Sequence, residues 1–173
     1  MDYSILRLIN NFAGQKIWLD ILGIIFSDFL IFAIPLIIIL VYFFSKKRRK
    51  LFFISLKIIF ALVLVCLINY SLKKIIARPR PFVDHNDIYQ LAKLFADLKD
   101  FSFPSNHAAI AFVMAISVLI DWKKFGLILL GLAVIVGLGR IFVGVHYPTD
   151  VLGGIITALV AVFLIKFLGR RSG

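Results

Sequence analysis

Long apolar runs punctuated by short basic clusters make up most of the chain. Residues 29–44 carry no charge, and the run stops at Ser45 and the cluster Lys46-Lys47-Arg48-Arg49-Lys50. Residues 51–70 form a second run, interrupted by Lys57, whose long side chain can snorkel toward the basic end. A third and shorter run covers residues 108–120, with its first turn starting at Ser105, and closes at Asp121-Trp122-Lys123-Lys124. Residues 125–144 and 151–168 supply a fourth and a fifth, the last ending at Arg170-Arg171. These lengths approach the ~20 residues a bilayer crossing requires. Pro35 is expected to kink the first span.

Two stretches have a different texture. In residues 1–27, Ile5, Leu8, Ile9 and Phe12 recur at roughly helical spacing among Asp2, Arg7, Asn10, Asn11 and Lys16. That pattern predicts a helix lying in the membrane interface; its insertion instead would raise the span count by one. Residues 71–104 are polar. Within 86–100, Ile88, Leu91, Leu94, Phe95 and Leu98 fall at helical spacing behind a candidate cap, Asp87, so a flat amphipathic helix is expected, as a plain connector or as a lid. His85 reads as a loop residue without chemistry. The expected fold is all-α, a polytopic transmembrane helix bundle of five or six membrane helices in a single domain over residues 1–173.

Composition supports the membrane reading. The chain is 62% apolar and 17% charged, with a mean hydropathy of +1.02, which excludes an ordinary soluble domain. Its formal charge of +11 suggests nucleic acid only until the basic clusters are seen to flank the spans. A nucleic-acid partner is therefore not expected. The one cysteine, Cys66, lies within an apolar run, so neither a disulfide framework nor a cysteine metal site is expected. No cleavable leader pattern is legible. Residues 46–50, 123–124 and 170–171 fall on alternate turns, and the positive-inside rule puts them in the cytoplasm. The 71–104 segment and the 144–150 turn then face the extracytoplasmic side of the cell membrane.

Three segments on that face carry candidate chemistry. Lys73, Lys74, Arg78 and Arg80 crowd the end of the second span, on the wrong side for a topology signal. They either solvate the loop or hold phosphate, and Arg80, between Pro79 and Pro81, is suited to presenting its guanidinium fork rigidly. In Phe103-Pro104-Ser105-Asn106-His107, Ser105 reads as a helix N-cap; it either simply caps, or the free N–H groups of that helix end form an anion site with the Ser105 hydroxyl beside it. His107, in the first turn, satisfies an interfacial hydrogen bond or acts as a general acid. In the third segment Arg140 sits inside an apolar run, where an arginine is costly and normally paired, and marks a site by default. His146 and Asp150 are one turn apart across Pro148, so the carboxylate either caps its own helix or orients the imidazole for nucleophilic attack.

With these residues in place, the chain resembles the type-2 phosphatidic acid phosphatase superfamily of membrane lipid phosphatases, and within it the bacterial undecaprenyl pyrophosphate phosphatase branch. Its patterns are Lys-x6-Arg-Pro, matched by Lys73 and Arg80-Pro81; Pro-Ser-Gly-His, matched by Pro104-Ser105 and His107; and Ser-Arg-x5-His-x3-Asp, matched by Arg140, His146 and Asp150. Asn106 stands where glycine is usual and Gly139 where serine is usual. The resemblance implies a bundle with its site at the outer face, His146 as nucleophile forming a phosphohistidine, Asp150 orienting it, and His107 protonating the leaving group. It further implies Lys73, Arg80, Ser105, Arg140 and Asn106 around the phosphoryl oxygens, no metal or other cofactor, and a polyprenyl or glycerolipid phosphate as substrate among the membrane lipids, with phosphatidylglycerophosphate, phosphatidic acid and lipid A phosphatases as alternatives that the motifs do not separate. Two other classes remain: a metal-dependent hydrolase using His107, His146 and Asp150 as ligands, against which the crowd of cations argues, and a small anion transporter, which no inverted repeat supports.

Overall fold

The computed structural model describes residues 1–46, 48–91 and 100–171, and all regular structure among them is helical. The elements are α1 (Asp2–Asn10), α2 (Ile17–Ile24), a π-helical turn (Ile25–Phe29), α3 (Leu30–Phe44), α4 (Arg48–Ile76), the short α5 (Pro81–Asp84), α6 (Asn106–Asp121), α7 (Lys123–Phe142) and α8 (Pro148–Arg171). Four helical stretches are long and apolar enough to cross a membrane, among them Ile17–Phe44 and Arg48–Asp84, and α6 is a shorter apolar helix. The outward faces are themselves apolar: Phe32, Leu36 and Phe43 on α3, and Phe60, Val63 and Leu67 on α4, are all exposed. Such a surface requires lipid around it.

The sixteen residues of α6 occupy the middle of the bundle, packed on α7, α8, α4 and α3. Its side chains from Ala111 to Val118 are buried, in a core shared with Ile34 and Ile38 of α3, Ile54, Ala61 and Val65 of α4, Leu129 and Ala133 of α7, and Ala158 and Ala161 of α8. Ser105 caps α6 as its sequence predicts, its hydroxyl accepting from the Ala108 N–H. Trp122 is at once the C-cap of α6 and the N-cap of α7, so the two form a tight hairpin. Pro148 opens α8, where its missing N–H costs nothing.

Several expected boundaries are corrected. The first span begins at Ile17, not at residue 29: α2, the π turn and α3 form one helical stretch to Phe44. Asp20 and Asp28 broke the apolar pattern, but Asp20 accepts from the Gly14 N–H at the helix start and Asp28 turns inward to an arginine. Pro35 sits within α3 without ending it, and the helical irregularity falls at Ile25–Phe29. The interfacial reading of residues 1–27 reduces to α1, which packs its buried Leu6 and Asn10 against the bundle. The second span continues past Tyr70 to Ile76, so Lys73 and Lys74 belong to the last turn of α4, where cations favour the helix dipole. Lys57 pairs with Asp121 at 3.0 Å.

Of the amphipathic helix expected over 86–100, the described residues 86–91 are not helical. Asp87 accepts from the Tyr3 hydroxyl and pairs with Arg7, binding α1 in place of capping a helix. Ile88 is buried beside Leu6 and Tyr147. Leu94, Phe95 and Leu98, and the lid they suggest, lie outside the described residues.

Candidate active site

At one end of the bundle the last turn of α4, the first turns of α6 and α8 and the end of α7 meet the 143–147 loop. Lys73 is buried on α4 and donates to both carboxylate oxygens of Asp100, at 3.1 and 3.2 Å, and to the Phe101 carbonyl. Arg80, 2% exposed, precedes α5 in extended conformation. Its Nη2 donates to Asp100 at 2.8 Å and its Nη1 to the Val145 carbonyl at 3.1 Å. Both cations named by the first sequence pattern therefore share one carboxylate. Although burial opposes ionisation of Asp100, Lys73 and Arg80 outweigh it and hold its carboxyl below the usual range.

His146 is 2% exposed, in the loop just before α8. Its Nε2 lies 3.4 Å from Arg80 Nη1, and its Nδ1 lies 3.5 Å from Asp150 Oδ2 and makes no hydrogen bond. The order expected from the sequence is present, with the carboxylate one turn from the ring, but the contact is a long ion-pair distance. Burial first, then the charges of Arg140, Arg80 and Lys73, push the His146 imidazole well below its ordinary value, against an opposing pull from the Ser102 backbone. The ring is accordingly neutral at neutral pH, with a lone pair available.

Asp150 is fully buried and heavily engaged. Its Oδ2 accepts from the Tyr147 N–H at 2.8 Å and its Oδ1 from Arg78 at 2.9 Å. Arg78 also donates to Asp2 and Thr149 and stacks on the Tyr147 ring, 3.7 Å from its centroid. Its guanidinium is thus committed to Asp150 and α1, whereas the sequence offered it as a second phosphate fork. Burial and the nearby Asp84 push the Tyr147 phenol up to about 12, so it remains protonated.

Ser105 and Asp150 are joined through the backbone, the Ser105 N–H donating to the Asp150 carbonyl at 2.9 Å. Gly154 makes this approach possible: a Cβ there would lie 2.6 Å from the Ser105 carbonyl oxygen. Asn106 is exposed at the first position of α6, and its amide oxygen accepts from Asn69 of α4 at 3.0 Å. His107, half-buried in the same turn, lies near enough to Arg140, His146, Arg80 and Lys73 for each to act on it electrostatically. Arg140 is completely buried, with Nη1 bonded to Ser27 at 2.9 Å and to Asp28. Its Nε and Nη2, like Arg80 Nε, are buried without a hydrogen-bond partner among the described residues.

All eight residues singled out from the sequence thus gather at this end of the bundle. Asp100, Asp28 and Ser27 were missed as members of the cluster. Asp28 carried a signal, since an intramembrane carboxylate is the natural counterion for an intramembrane arginine; Asp100 had none beyond a negative charge in a basic loop. Among the described residues no group of three or more His, Cys, Asp or Glu side chains is arranged to hold a metal ion.

The chain is similar to several known membrane phosphatases. Undecaprenyl-diphosphatase BcrC of Bacillus subtilis is 31% identical over 95% of this chain and 82% of its own length. The crystal structure of Aquifex aeolicus LpxE superposes with a TM-score of 0.72 at 28% identity, covering 95% of this chain and 94% of that one. A PAP2-type phosphatidylglycerolphosphate phosphatase from Bacillus subtilis gives 0.66 at 28% identity, over 98% and 85%. An all-helical fold with membrane-crossing stretches and these relatives together define a membrane lipid phosphatase. The sequence model of the PAP2 superfamily matches residues 54–172, and the chain belongs to that family.

Proposed function

We propose that this protein hydrolyses undecaprenyl pyrophosphate to undecaprenyl phosphate and inorganic phosphate at the outer face of the cytoplasmic membrane. The observation that carries the reading is the neutral, buried His146 held between Asp150 and Arg80. Attack by His146 Nε2 on the terminal phosphorus forms the N–P bond and breaks the anhydride, with His107 delivering a proton to the departing lipid phosphate. Asp150 stabilises the positive charge that the ring acquires. Water then cleaves the phosphohistidine, giving its proton back to His107 and releasing orthophosphate. Lys73, Arg80, Arg140, Ser105 and the Asn106 end of α6 hold the phosphoryl oxygens, where positioning and charge supply most of the catalysis.

Choice of substrate rests on BcrC, whose similarity runs through nearly the whole chain. A glycerolipid substrate is the second reading, favoured by the phosphatidylglycerolphosphate phosphatase fold neighbour. Orientation rests on α4, whose Arg48 and Lys73 stand about 38 Å apart along the helix, so the basic turns and the site belong to opposite faces.

The test is phosphate release by detergent-purified protein in excess EDTA from undecaprenyl pyrophosphate, phosphatidylglycerol phosphate and phosphatidic acid. Preference for the diphosphate, abolished by His146→Ala, is expected. Preference for a glycerolipid would replace the substrate, and activity of His146→Ala within tenfold of wild type would remove His146 as nucleophile.

A further inference from the structure

The buried arginine of the site does not stand alone, and its partners come from a different helix. Ser27 and Asp28 are 0% and 1% exposed on the π turn Ile25–Phe29, a kind of irregularity that is rare and concentrates at functional sites. Ser27 Oγ donates to Asp28 Oδ1 at 2.8 Å and accepts from Arg140 Nη1 at 2.9 Å, while Nη1 also reaches Asp28. The hydroxyl thus bridges the two, donating to the carboxylate and accepting from the guanidinium. The opposite edge of the guanidinium, Nε and Nη2, is buried and has no partner among the described residues. That edge is the side-on fork, the pair of parallel N–H groups whose spacing matches two oxygens of a phosphoryl group.

Gly139 explains how the π turn comes this close. A Cβ at position 139 would lie 2.8 Å from the Ser27 nitrogen and 3.0 Å from the Phe26 carbonyl carbon and Ser27 Cα, and backbone atoms cannot step aside. The family pattern carries a serine at this position, next to the arginine. Here the serine is excluded by the turn, and the turn brings its own.

We propose that Ser27 and Asp28 are positioning residues that clamp Arg140 by Nη1 and aim its Nε/Nη2 fork at the phosphoryl group, supplying from the first membrane span the hydroxyl that Gly139 lacks. This rests on the proposed phosphatase reading and deepens it. Asp28 fixes one of the three cations nearest His146, and Ser27 sets the rotation of the fork. Without them the guanidinium turns toward other acceptors and the two donors no longer converge.

The experiment compares wild type, Ser27→Ala, Asp28→Asn, Arg140→Ala and the double variant Asp28→Asn/Arg140→Ala, purified in detergent. Readouts are kcat and KM for undecaprenyl pyrophosphate and phosphatidylglycerol phosphate, the inhibition constant of orthophosphate, and the shift of thermal midpoint that orthophosphate produces. Asp28→Asn is expected to lower kcat/KM by about 10- to 100-fold, as loss of an orienting partner does elsewhere. Ser27→Ala should lower it about 2- to 10-fold. Orthophosphate inhibition should weaken in step, and in the Arg140→Ala background Asp28→Asn should cost nothing more. Unchanged kcat/KM in Asp28→Asn, or an equal loss with and without Arg140, overturns the clamp. If Asp28→Asn does not fold, Ser27→Ala decides: lowered kcat/KM with weakened orthophosphate inhibition supports the clamp, and unchanged values overturn it. A wild type inactive on both lipids would defeat the phosphatase reading alone; the orthophosphate shift then judges the clamp, supporting it if lost in Ser27→Ala and overturning it if retained or absent from wild type.

Discussion

His146 has an environment that should be visible in kinetics. An imidazole held well below its ordinary value of 6.5 stays unprotonated as pH falls through that point. A base with a lowered pKa keeps its activity to lower pH, so kcat/KM is expected to show no half-point near pH 6.5 and to decline only at more acidic pH. A steady-state pH profile checks this; a half-maximal rate near pH 6.5 would mean an unshifted ring. Asp100 makes a second case. It occupies Lys73 and Arg80, which on the proposed reading receive the phosphate, so substrate would displace it. Asp100→Asn should lower KM severalfold in initial-rate measurements, and thermal melting should show a lower midpoint because the buried Lys73 and Arg80 lose their carboxylate. For Arg140, substitution by lysine keeps the charge and loses the planar fork, and activity should fall by about 10-fold or more. Normal activity in Arg140→Lys would mean that charge alone suffices.

At the level of elements, Arg78 is a clasp between three parts of the chain. It joins Asp2 of α1 to Asp150 of α8 and lies flat on Tyr147 of the loop between α7 and α8. Arg78→Ala leaves the buried Asp150 carboxylate without its partly exposed cation, which destabilises the fold. The expected result is a lower thermal midpoint together with a fall in kcat, and loss of stability without loss of kcat would separate Asp150 from catalysis. Much of this scale was legible in advance. Ser105 before an apolar run and Pro148 before another mark helix starts by local chemistry, and the structure has them there. What the sequence concealed was pairing at long range. Asp28 could not be joined to Arg140 from sequence because the two are 112 residues apart, and Arg78 could be assigned only to solvating the loop or holding phosphate because Asp2 and Asp150 are 76 and 72 residues from it. Local patterns locate helices; only packing decides which charges meet.

For the molecule as a whole, the site and the basic turns stand at opposite ends, which makes orientation measurable. With Cys66 replaced by serine, a cysteine at Asn86 should react with a membrane-impermeant maleimide in intact cells, and one at Lys123 should react only after permeabilisation. The reverse result would turn the proposed topology over while leaving the site intact. A larger consequence attaches to α6. At 16 residues it spans about 24 Å, short of the ~30 Å hydrocarbon layer, and its first turn carries Asn106 and His107. It gives lipid almost nothing to hold, since its side chains from Ala111 to Val118 are all buried in protein. During biogenesis such a segment is the poorest candidate to leave the translocon alone. The tight joint at Trp122 ties it to α7, and the two can partition as one hairpin. The helix that bears His107 behind its Ser105 cap then becomes a membrane helix by virtue of its neighbours, and the site waits on α8 to bring His146 and Asp150 to it.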